Sequence, residues 1–200
     1  MATTRTSVLD DVHSALSGGT VDDISRRIGA DPGRTRTAID SAIPLFVAAL
    51  GKEAADPARR SGLEQAIRED HDGSVVDDLP TYLSGGMSGR ATDGDKIVGH
   101  VLGDRRDSAV QALAGRSGLD LNAIASLLPL LAPIVMGILG RKQRSGDITL
   151  DSITDVLGGD TQRATDDSPD LGDLLGNVLG GGNGKSGGIG DVLGSILGGR

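Results

Sequence analysis

AIDSAIPLFVAAL (residues 38–50) and AIASLLPLLAPIV (residues 123–135) decide the fold. At an offset of 85 residues the pairs Ala38/Ala123, Ile39/Ile124, Ser41/Ser126, Pro44/Pro129 and Leu45/Leu130 are identical. Each stretch follows a shorter amphipathic segment and a Gly-containing turn, ISRRIGADPGRT in the first case and VQALAGRSGLDLN in the second. Each ends in Gly and basic residues. The pattern predicts, twice over, a helix, a turn and an apolar Pro-containing helix. Neither half alone could bury its long apolar face, so the halves are expected to pack together as an internally duplicated helical bundle.

The helical period extends outward from these stretches. Val8, Leu9, Val12, Ala15 and Leu16 form one stripe, and Val21, Ile24 and Ile28 form a second that Gly29 stops. Asp31-Pro32 suits a helix start, with Pro at an early position. β-branched residues do not cluster and no stretch alternates for long, so the expected fold class is all-α. Short helices are expected near 57–68 and 75–83. A flexible Gly/Ser/Thr/Asp linker is expected over 85–94, separating a first helical half (1–84) from a second (95–144).

From Ser145 onward the chain turns rich in Gly, Asp and Leu. LGDLLGNVLGG (Leu171–Gly181) returns as IGDVLGSILGG (Ile189–Gly199) at an offset of 18, with DSITDVLGG as a looser relative. Leu171, Leu174, Leu175, Val178 and Leu179 share one helical face, as do Ile189, Val192, Leu193, Ile196 and Leu197. Gly172, Gly176 and Gly180, and likewise Gly190, Gly194 and Gly198, form four-residue ridges that let another backbone come close. Each Gly costs about 1 kcal/mol of helix stability relative to Ala. The tail (145–200) is therefore expected to be a solvated low-complexity segment or, as the alternative, a marginally helical one ordered only against a partner, a membrane surface or another of its own segments. These ten aliphatic residues are the candidates for self-association.

The chain has 200 residues, with 28 acidic against 20 basic, no Cys, and Phe46 and Tyr82 as its only aromatics. Without Cys there are no disulfides, thiolate metal sites or Cys nucleophile. Two aromatics are too few for a base-stacking platform. The tail from Ser145 carries nine Asp against three basic residues, leaving a nearly neutral body that does not suit a general nucleic-acid coat. The N-terminus lacks an uninterrupted apolar leader, so a cytoplasmic protein is expected. Ala123–Gly140 is uncharged and followed by Arg141, Lys142 and Arg144. At the lower length limit for a span, it is expected to be a buried core helix, with membrane association through it or the tail as the alternative.

Residues 21–43 have helix-turn-helix spacing, with Arg26, Arg27, Arg34 and Arg36 as candidate DNA contacts. Asp22, Asp23, Asp31 and Asp40 offset that basic charge, and the second hairpin opens with Asp120 and Asn122 instead. EDHDGSVVDDL puts Asp70 and Asp72 at two positions of a calcium loop. Arg68 and Leu79 then stand where strong ligands are needed, so a turn and helix cap is the simpler reading. GGGNGKSGG lacks the first Gly of a phosphate loop and no strand precedes it. His13, His71 and His100 share no ligand spacing. No metal, cofactor, catalytic residue or small-molecule substrate is assigned.

IVGHVLGDRRD through GRK (residues 97–142) resembles the bacterial domain-of-unknown-function 937 family, most specifically in LLPLLAPIVMG. The upstream ISRRIGADPGRTRTAIDSAIPLFVAALGK and DHDGSVVDDL resemble its first half, so the likeness covers about residues 5–160. The related YidB-like proteins imply an all-helical fold with a homeodomain-like motif, and no activity or cofactor. The expected role is non-enzymatic: interaction with another protein or with itself through apolar helical faces. DNA binding by segment 21–43 is the alternative.

Overall fold

The computed structural model describes residues 7–180, which contain helices and turns and no strand. A first trio comprises α1 (Val8–Ala15), α2 (Thr20–Ile28) and the long α3 (Pro32–Ala55). It is followed by α4 (Pro57–Gln65), which runs into a π-helical turn (Ala66–Asp70), then α5 (Ser74–Asp77) and α6 (Leu79–Leu83). A second trio comprises α7 (Gly94–Leu102), α8 (Arg106–Ser117) and the long α9 (Leu121–Ser145), followed by α10 (Ile153–Asp167) and α11 (Pro169–Leu179).

The two long helices begin with the same local chemistry. Gly29 (φ +68°) and Gly118 (φ +70°) end α2 and α8 in the left-handed conformation that Gly adopts without steric cost. Two residues later Asp31 accepts the Arg34 N–H at 2.9 Å, and Asp120 accepts the Ala123 N–H at 2.8 Å. Both carboxylates thereby satisfy an otherwise unpaired donor of the first helical turn. These caps lie 89 residues apart, not 85. In that register Pro44 is level with Pro133 and Gly51 with Gly140. The sequence identities are offset from it by four residues, about one helical turn, and so mark the same face.

Residues 41–50 of α3 and 131–140 of α9 are buried on every side. A helix apolar all round is a core helix, and these two pack against each other at the centre. The shorter helices of both trios each pack on both long helices. α7 and α8 pack on α3, and α1 and α2 pack on α9. The π-turn and α5 cover α9, while α10 covers α3. α6 reaches α2, and α11 reaches both α3 and α8. Each half is therefore closed by the other. Burial of each Leu or Ile side chain contributes about 1.5–3 kcal/mol.

Close backbone contacts fix these crossings. A Cβ at Gly94 would lie 1.8 Å from the Pro129 carbonyl oxygen, and one at Gly140 would lie 1.7 Å from that of His71. Pro133 has no N–H to give the Pro129 carbonyl four residues earlier. The Tyr82 hydroxyl approaches that exposed edge of α9, donating to the Leu130 carbonyl at 3.1 Å and lying 3.4 Å from that of Pro129.

Three elements differ from the sequence expectation. The helix expected near 75–83 is two short ones, broken at Asp78 (φ −136°). The expected linker contains a 3-10 turn at Arg90–Thr92. Residues 153–179, expected within the low-complexity tail, form α10 and α11 packed on the body. They pack on each other, one of the arrangements the sequence allowed, and on α3, which it did not point to.

Candidate functional site

The α2–α3 hairpin presents its four candidate arginines on the N-terminal side of α3. Arg27 donates to the Leu83 carbonyl at the end of α6. Arg34 Nη1 donates to the Gly118 carbonyl, at 3.0 Å, in the turn of the second hairpin. Arg26 pairs with Asp23 one turn earlier. Arg36 is exposed and has no ion-pair or hydrogen-bond partner among the described residues. Two of the four side chains thus connect parts of the fold. Asp40 faces His13 of α1 at 3.7 Å.

The candidate self-association residues divide into two sets. Leu171, Leu174, Leu175, Val178 and Leu179 are all buried in α11. Lys52 Nζ donates to the Leu179 carbonyl at 2.5 Å, placing a cation at the negative end of that helix. Ile189, Val192, Leu193, Ile196 and Leu197 lie outside the described residues. Leu121, at 53%, is the one large aliphatic side chain exposed among the described residues.

The Asp70–Asp72 segment forms a turn. Gly73 adopts φ +81° and Asp72 accepts the Ser74 N–H at 3.0 Å. Hydrogen bonds from the Ser74 hydroxyl and N–H hold the Asp72 carboxyl below the usual carboxylate range. Asp70 lies 3.5 Å from Arg90.

Next to this turn lies a groove of about 640 Å³ that sequence reading did not anticipate. Leu63 and Ala66 form one wall, Ile97 and Val101 the other, and Met136 of α9 contributes to the floor. His71 also lines it and is only 4% exposed. Its Nδ1 is sealed from solvent without a hydrogen-bond partner among the described residues. Burial lowers the His71 pKa, although Asp70 and Asp72 oppose the shift. The ring is therefore neutral near pH 7. At the rim Asp70 pairs with Arg90, and Asp93 with Lys96 at 2.6 Å. A buried His beside an apolar run has no sequence signature separating it from a solvated one; only the fold brings residues 63, 71, 101 and 136 together.

α9 is the one helix among the described residues long and apolar enough to cross a membrane, and 78% of its apolar window is buried inside the fold. Residues 10–143, from α1 into the last turn of α9, match the model of a family described as bacterial proteins of unknown function, DUF937. The chain belongs to the DUF937 family. No curated protein and no solved structure matches it. The DUF937 match includes both hairpins and the groove, while α10 and α11 lie beyond it.

Proposed function

We propose that this protein is a non-enzymatic, internally duplicated helical module that self-associates through its second C-terminal repeat. One observation carries the reading: the first repeat is a docking helix. All five aliphatic residues of its stripe are buried against the body, and α11 packs on α3 and α8. The second repeat, IGDVLGSILGG, keeps that stripe and the four-residue Gly ridge. We assign pairing between copies to the second repeat from its sequence alone: it shares the first repeat's aliphatic stripe and the four-residue Gly spacing that lets two backbones approach. The matched caps at Gly29/Asp31 and Gly118/Asp120 support the duplication, with each three-helix unit as one homeodomain-like repeat.

DNA contact is the weaker reading, because Arg27 and Arg34 are committed to backbone carbonyls. A cytoplasmic location goes with the proposal, supported by the burial of most of the apolar window of α9.

The test is mass against concentration by light scattering, for the full chain and for a chain ending at residue 186. The full chain should gain mass as concentration rises, and the shortened one should stay monomeric with α11 in place. Identical monomers in both would remove the proposal.

A further inference from the structure

We propose that the groove between α4, its π-turn and α7 binds an uncharged amphiphile, whose aliphatic body lies on Leu63, Ile97, Val101 and Met136 and whose carbonyl or ether oxygen accepts a hydrogen bond from His71 Nε2. This rests on observations separate from the self-association reading.

Size and lining come first. A volume of about 640 Å³ falls within the roughly 300–1,000 Å³ of ligand pockets, which are mostly apolar with a few placed polar groups. The π-turn is the second observation. It closes with the His71 N–H on the Ala66 carbonyl at 3.1 Å, one residue wider than an α-helical turn. Such turns often occur at functional sites. Here the widened turn ends directly at His71.

His71 sets the chemistry of the head group. Nδ1 is sealed and His71 lines the groove, which leaves Nε2 as the ring nitrogen able to meet a ligand there. An N–H buried without an acceptor is costly. The single proton of the neutral ring therefore belongs on Nε2, where water or a ligand can accept it. The groove thus offers a donor, which calls for an oxygen acceptor.

The rim sets the charge. Asp70 and Asp93 are each matched by one cation, so the rim charges cancel. The acids are 29% and 35% exposed, while the Arg90 and Lys96 side chains are both 85% exposed. In each pair the carboxylate is the less exposed member, so the rim offers no unpaired cation to hold an anionic head group. An uncharged carbonyl or ether meets the donor without needing one.

Calorimetric titration of the full-length protein with 2-octanone and with octanoate tests this. Saturable binding of 2-octanone, tighter than octanoate, is expected. His71→Phe keeps the ring volume but removes the donor, and should weaken 2-octanone binding about three- to tenfold, the worth of one net hydrogen bond. His71→Gln should restore part of that loss. Gly99→Leu should block the groove, because a Cβ at Gly99 meets nothing within 4 Å and the larger side chain has room to extend over the site. No saturable binding of 2-octanone, equal binding by His71→Phe, or octanoate binding as tightly overturns the proposal. If His71→Phe does not fold, the order of the two probes and the effect of Gly99→Leu decide it.

Discussion

The carboxylate of Asp160 in α10 accepts the Val8 N–H of α1 at 2.7 Å, with the Leu9 N–H 3.2 Å away. Asp160 is fully buried and also holds Arg163. Ser7 caps the same helix by accepting the Asp10 N–H at 3.1 Å. Together they satisfy the first donors of α1, which no intrahelical carbonyl can reach. Asp160→Ala would strand them in the interior and should cost about 1–3 kcal/mol or more. Asp160→Asn keeps an acceptor and should cost less. Denaturant unfolding of both variants checks the order.

Gly140 and Gly99 should respond in opposite directions to the same change. Gly140→Ala drives a methyl into the His71 carbonyl, at a starting separation of 1.7 Å. It should cost about 3 kcal/mol or more, at or beyond the upper end for overpacking. Gly99 sits in the interior of α7 with open space around it. Gly99→Ala should instead stabilise the protein by up to about 1 kcal/mol through backbone entropy. Paired thermal melts would show midpoints moving in opposite directions.

Tyr82→Phe removes the donor to the carbonyl edge that Pro133 opens in α9. The ring is buried, which pushes the phenol pKa up to about 12, so the hydroxyl remains a donor throughout the stable pH range. The loss should be about 1 kcal/mol and independent of pH between 5 and 9, roughly the span in which a neutral phenol is expected. Denaturant titrations at several pH values measure both.

His71 titrates at lower pH in the fold than in the unfolded chain, because burial opposes its charge. As pH falls through the ordinary His range near 6.5, the unfolded chain takes up the proton first. Stability contributed by the neutral ring is then present above that range and is lost on acidification. His71→Phe should flatten this slope while changing neutral-pH stability little, since the Nδ1 it removes has no partner. A slope unchanged by the substitution would mean that other groups set the acid sensitivity.

The hairpins were legible because their chemistry is local. Gly29, Asp31, Gly118 and Asp120 sit in sequence where helix stops and starts are expected, and the structure uses each as a cap. The register was less so. The sequence identities recur at 85 residues, whereas the N-caps Asp31 and Asp120 of the two long helices lie 89 apart. The packing of α10 and α11 on α3 was not legible, because helix propensity counts each Gly as a cost and cannot count the apolar surface that α3 supplies. The arginines of the first hairpin illustrate the same limit. Their spacing is that of a base-reading helix, yet Arg34 ends on Gly118, 84 positions away. The groove was invisible for the same reason: His71 and Met136 meet only after α9 has folded back against the π-turn.

Sedimentation velocity of a Val192→Asp/Leu193→Asp double variant beside the unaltered chain tests self-association through the second repeat most directly. These substitutions put two charges on its stripe and leave every described contact in place. The unaltered chain should sediment as a concentration-dependent oligomer, and the double variant as a monomer with an unchanged melting temperature. An unaltered chain that stays monomeric at every concentration, or a double variant that associates equally well, would contradict it.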